Sequence, residues 1–388
     1  MSEDNERSVG LRGVTWDHSR GFTPLVAVSQ RFEELNPNIR IAWDKRSLTD
    51  FESEPIDQLA GRYDLLVIDH PWAGFAARRK VLVDLNKVLE ADFLSDQREN
   101  SVGDSYASYD FDGFQSALPI DAASPVALWR PDSIAKDDVP RTFGETLELA
   151  RTGRVIYAAM PTYVLNDFIS MCVTIGGTPF GLAHEGSLVE RPLAEIVLDD
   201  MRELARACDP VIFELNPISL CEVLASDERY AYCPSVYGYV NYSRRGYAEH
   251  RLKAGPIVSY GRSPLRGVLG GTGIAISSRC KDVDAAARFL RYAASGEVQR
   301  TLYCDGGGQP GHRSAWVDPE CNRQTLDFFL DTLPTLDDAY LRPRYDGYLY
   351  FQDRAGVSLC RFLQGAAPMG ETISELDSIY QDSLRVGR

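Results

Sequence analysis

Residues Leu269–Trp316 read LGGTGIAISSRCKDVDAAARFLRYAASGEVQRTLYCDGGGQPGHRSAW. A glycine turn leads into an apolar run, Gly273–Ser277, which predicts a strand. A helix is expected from about Asp282, because Ala286, Phe289, Leu290 and Ala293 recur at helical spacing on one face. The segment then runs through a Ser-Gly-Glu step into Gly306–Gly308, Gln309 and Pro310. Gly270, Gly271 and Gly273 stand before the strand, whereas a dinucleotide-binding fingerprint sets its glycines between strand and helix. No Gly-Lys-Ser/Thr follows the triple glycine, so this is not a Walker loop either. What remains for the glycines is close approach of the backbone to something else.

The same alternation extends outward. Near the N-terminus, Leu11–Trp16, Ile39–Trp43 and Asp64–Asp69 read as strands, with Leu25, Val28, Phe32 and Leu35 marking a helix that ends at Asn36-Pro37-Asn38. Strands separated by helices predict parallel pairing. After Ala117–Trp129 the pattern restarts. Thr142 and Glu145 have the spacing of a capping box, Arg154–Met160 reads as a strand, and helices are expected over 166–175, 192–207 and 217–226. Tyr230–Ser243 is aromatic and favours strand, and the last sixty or so residues favour helix.

The composition of the 388 residues, 44% hydrophobic and 25% charged, is that of a globular chain with a sizeable core. A formal charge of −15 argues against nucleic-acid binding, which needs a basic surface. No apolar run is long enough to insert into a membrane. The first ten residues lack the basic and apolar regions of a secretory signal. Eight cysteines are scattered without CxxC pairs, and together these features predict a cytoplasmic location, or a periplasmic or extracellular one if a leader has been removed.

Five stretches, in order, resemble the solute-binding proteins of ABC transporters, in the large group that includes many sugar binders. They are FTPLVAVSQRFEELNPNIRIAW, YDLLVIDHPWAGFAARRKVLVDLNKVL, ALPIDAASPVALWRPD, the stretch quoted first, and FLQGAAPMGETISELDSIYQDSL. The resemblance implies an α/β fold of the type II periplasmic-binding-protein kind, with two lobes, crossing hinge segments and a ligand cleft on which the lobes close. Mapped here, lobe one is expected at 10–120 plus 266–311, and lobe two at 121–265 plus 312–388. A family member works with an ABC permease, a partner expected here only if the chain is exported.

In such a fold, ligands meet loops at the C-terminal ends of strands. The expected ligand-binding residues are therefore Asp17 and His18 after the first strand, and Asp69, His70 and Trp72 after the third. Asp121 and Ser124 fall at the first crossing, where a hinge role competes, and Gly271 and Thr272 at the glycine turn. Tyr163, Asn166, Tyr237 and Tyr239 come from the second lobe, and Gln309 and His312 from the triple-glycine loop. Each has a plain structural alternative: Asp17, His18 and Asp69 as helix caps, the aromatic residues as core.

Catalytic patterns are thin. The histidines (18, 70, 184, 250 and 312) show no HExxH spacing, no zinc-type Cys/His cluster occurs, and GxSxG is absent. The leading reading is a binder without metal or cofactor that closes on a small polar ligand, a carbohydrate or carbohydrate-like compound. The competing reading is a cytosolic enzyme using His18, His70 and His312 for acid–base chemistry, with Arg262 and Arg313 favouring an anionic ligand if they face it.

Overall fold

The computed structural model describes residues 8–181 and 186–386; His184 lies outside them. In chain order the main elements are β1 (Val9–Trp16), α1 (Ser19–Leu35), β2 (Ile39–Arg46), β3 (Leu65–Ile68) and β4 (Leu118–Ala123). There follow β5 (Pro125–Trp129), α2 (Phe143–Ala150), α3 (Pro161–Thr174), α4 (Arg191–Ala207), α5 (Pro217–Ser226), β6 (Tyr232–Tyr237) and β7 (Lys253–Gly255). The chain ends with β8 (Gly270–Ile276), α6 (Val283–Ala294), α7 (Tyr348–Leu363) and α8 (Met369–Ser383).

The chain divides into two units. One comprises Met1–Ala122 and Gly270–Asn322, the other Ala123–Leu269 and Arg323–Arg388. The chain thus changes unit at 122/123, 269/270 and 322/323. Residues 312–322, which the sequence reading assigned to the second lobe, belong to the first unit.

The first unit is built on one five-stranded sheet, ordered β2-β1-β3-β8-β4. β1 pairs parallel with β2 and with β3, as the alternation of strand and helix predicts. β8 returns antiparallel to β3, from Gly273 opposite Ile68 to Ile276 opposite Leu65, so the pairing is mixed rather than all parallel. Every residue of β3 and β4 is buried, the mark of strands covered on both faces. α1 packs Leu25, Val28 and Phe32 into this core, and Phe32 meets Phe289 of α6 edge-on at 5.3 Å. Leu35, read as part of that face, lies at the last residue of α1 and is exposed.

The second unit has a three-stranded antiparallel sheet, β6-β5-β7, flanked by helices. The capping box at Thr142 and Glu145 is formed and opens α2. α3 begins at Pro161, five residues before the expected start. Proline at the first helical position costs no hydrogen bond and is already set to the helical φ, so MPTY is a helix start rather than a loop. Arg154–Met160 is no strand of the sheet. Val155 bridges Tyr232 and Ala159 donates to Ile212, so its pairing is split between two neighbours. Tyr230–Ser243 is strand only as far as Tyr237, after which Val240–Ser243 forms a 3-10 turn.

Candidate functional site

The loops after the first unit's strands are where ligand residues were expected, and most of their polar groups already have partners. His18 caps α1, its Nδ1 accepting from the Arg20 amide at 2.9 Å. Burial, and then the Arg20 charge, push its imidazole down to about 4, which keeps it neutral at physiological pH. Asp17 is exposed and pairs with Lys45 at 2.7 Å. Asp69 caps the turn His70–Trp72, accepting from the His70 amide at 2.8 Å. The His70 ring is fully buried, 3.1 Å from the Asp69 carboxylate and edge-on to Tyr109. Trp72 is buried edge-on against Phe75 rather than offered as a platform.

Asp121 is 1% exposed and is gripped by Arg20. Nε donates to one carboxylate oxygen at 2.8 Å and Nη2 to the other, the bidentate geometry that makes Arg–carboxylate pairs strong. Gln309 lies against the same strand, its side-chain Nε2 donating to the Ala122 carbonyl at 2.8 Å while its backbone carbonyl accepts from the Ala122 amide. Gln309 therefore holds the end of β4 to the triple-glycine loop, and Asp121 holds it to α1.

That loop is packed tightly. A Cβ on Gly308 would strike the Tyr303 ring, and one on Gly311 the Pro119 carbonyl. Gly307 has a left-handed φ of 89°. Trp316 is buried and donates to Pro310 at 2.7 Å. Cys304–Trp316 is accordingly a seam inside the first unit, and the unit change comes later, after Asn322. His312 caps the short helix Arg313–Trp316, with Ser314 Oγ 2.8 Å from Nδ1 and Asp96 3.4 Å from Nε2. Burial lowers its pKa against the pull of Asp96. The three histidines of the enzymatic reading thus have separate structural engagements, with Arg20, with Asp69 and Tyr109, and with Asp96 and Ser314. Arg313 donates to the Ser101 carbonyl at 3.1 Å, and Arg262 is exposed.

At the glycine turn Gly271 has a left-handed φ of 100°. Thr272 is buried, and its hydroxyl has no hydrogen-bond partner among the described residues. In the second unit Ser124 and Tyr239 are buried.

The second unit does bring predicted residues together. Tyr163, Asn166 and Tyr237 line one pocket of about 10 Å³, with Asp167 and Ser235 beside them. The rings of Tyr163 and Tyr237 stand edge-on at 6.4 Å. Asn166 Nδ2 donates to the Tyr237 hydroxyl at 3.2 Å, and that hydroxyl donates to the Val268 carbonyl at 3.1 Å. Tyr163 and Asn166 reach this place from inside α3, not from a loop.

Asp167 and Ser235 were missed at the sequence level. The signal was a carboxylate in the apolar helical run YVLNDFISMCV, where an unpaired charge is costly. Ser235 Oγ donates to Asp167 at 2.9 Å, and burial pushes the carboxyl up to about 7. Both also line an adjoining cavity of about 40 Å³ with Phe143, Tyr157 and Tyr260. A larger hollow of about 730 Å³ beside β7 is lined by none of the predicted residues. Among the described residues no group of three or more His, Cys, Asp or Glu side chains is arranged to hold a metal ion. No described helix is long and apolar enough to cross a membrane.

No family model and no curated protein matches the chain. Solved structures match it over nearly its whole length. Maltose-bound MalE3 of T. maritima is 17% identical with a TM-score of 0.83, over 96% of this chain and 99% of the other. An ABC transporter solute-binding protein from Agrobacterium radiobacter, in complex with ribitol, is 19% identical with a TM-score of 0.82, over 98% and 99%. The GacH receptor of Streptomyces glaucescens, solved unliganded and with acarbose, is 14% identical with a TM-score of 0.80, over 98% and 100%. The chain has the two-lobed α/β fold of the ABC transporter solute-binding proteins.

Proposed function

We propose that this protein is a solute-binding protein for a small polar ligand, a carbohydrate or a carbohydrate-like compound. The observation that carries the reading is the whole-chain likeness to proteins solved with maltose, ribitol and acarbose. The grouping of Tyr163, Asn166 and Tyr237 supports it, since tyrosine offers a sugar an apolar ring face and a hydroxyl in one side chain. Neither metal nor cofactor enters this reading.

The likeness lends no support to the cytoplasmic placement read from the sequence. We place the protein on the side of the membrane from which an ABC permease takes its solute, with that permease as its partner. Calorimetric titration against mono- and disaccharides, polyols and acarbose tests the binding claim. Saturable heat with a member of the panel is expected, and no heat with any of them overturns it.

A further inference from the structure

The pocket of Tyr163 and Tyr237 has an electrostatic feature that a neutral sugar does not use. Among the described residues no Lys, Arg or His lines it, and none lines the adjoining cavity that shares Asp167 and Ser235. Hydrogen bonding fixes which way the Asn166 amide points. The Tyr237 hydroxyl spends its one hydrogen on the Val268 carbonyl, so it accepts from Asn166 Nδ2. Asn166 Oδ1 is left as an acceptor, buried and without a hydrogen-bond partner among the described residues. Asp167, on the next residue of α3, accepts from Ser235 through Oδ1.

Asn166 and Asp167, each carrying an acceptor, thus line a space of about 10 Å³, room for a single water-sized group. A ligand hydroxyl fits that space but brings one donor and no charge. An ammonium group is of similar size, brings three donors, and favours the ionised form of Asp167, whose carboxyl burial otherwise keeps protonated up to about 7. The flanking tyrosine rings favour a cation further.

We propose that the ligand carries a basic amine whose ammonium group is held by Asn166 and Asp167, which makes an amino sugar or amino polyol the favoured class. The inference rests on the binding reading above and narrows it.

The test uses matched pairs, glucosamine with glucose and galactosamine with galactose, in calorimetry on the full chain. Methylammonium is added separately, in thermal melts at matched ionic strength. In at least one pair the amine is expected to bind about tenfold or more tighter than its neutral partner. Asp167→Asn, which keeps an acceptor for Ser235, is expected to erase that preference, whereas Tyr163→Ala weakens both members alike. Equal binding of the two members by the unmodified protein, or a preference that survives Asp167→Asn, overturns the inference and leaves the carbohydrate reading standing. If neither sugar of either pair binds, methylammonium decides. Protection that disappears in Asp167→Asn sustains the amine site and moves the failure to the carbohydrate reading, and no protection of the unmodified protein overturns the amine site.

Discussion

The two units use most of their predicted polar residues differently, Thr272 of the first unit, whose buried hydroxyl has no hydrogen-bond partner among the described residues, being the exception. In the first, His18, Asp69 and His312 cap helices or turns, Asp121 is paired with Arg20, and Gln309 ties two backbone segments together. In the second, Tyr163, Asn166 and Tyr237 meet at a pocket where, among the described residues, Asn166 Oδ1 lacks a hydrogen-bond partner and no cationic side chain lines the space beside Asp167. A polar residue at a strand end is first of all a remedy for the unpaired amides of the next helix. A functional residue is better recognised by an interaction left unmade.

This contrast can be broken by experiment, and the largest effect is expected in the first unit. Asp121→Ala leaves Arg20 buried without its carboxylate, and should cost about 3–5 kcal/mol. Urea unfolding measures this, and a loss under about 1 kcal/mol would show that the pair does not hold the first unit together.

A stability effect that depends on pH comes next, in the second unit. Burial keeps the folded Asp167 carboxyl protonated up to about 7, while the unfolded carboxyl ionises near 4. The folded state therefore binds the extra proton, and stability falls as pH rises from about 4 to about 7, then levels off. Tyr157, Tyr260 and Cys233 around Asp167 are all pushed up by burial and stay protonated across that window. The loss should be about 2–4 kcal/mol, at 1.36 kcal/mol per pH unit. It should be missing in Asp167→Asn, as read from melting temperatures between pH 4 and pH 8.

Smaller effects separate binding from folding. Tyr163→Ala should weaken carbohydrate binding by about 1–2 kcal/mol, and unchanged affinity would remove this pocket from the ligand site. His18→Ala should cost about 1 kcal/mol of stability through the lost cap, with His18→Asn recovering most of it because asparagine caps equally well. If His18→Asn instead abolished ligand binding at full stability, the first unit's histidine would be more than a cap.

Much of the fold is legible because local rules are strong where they act over one or two turns. The capping box of Thr142 and Glu145, the helical spacing in α6 and the apolar run of β3 each carry their own explanation. Misreadings came where a residue's local signal had two meanings. Pro161 opens a helix whose periodicity is plain only from Asn166 onward, and the β-like run Arg154–Met160 finds its hydrogen bonds with two different neighbours.

The sequence by itself determined the order of the elements, the apolar faces that pack and the choice of tyrosine and asparagine as candidate ligand residues. Periodicity and composition are enough for those. Tertiary structure alone decided which of the polar residues are already satisfied. Arg20 lies 101 positions from Asp121, and Asn166 lies 71 from Tyr237. No local pattern reports such pairings, because a hydrogen bond depends on which atoms meet in space and not on how far apart they stand in the chain.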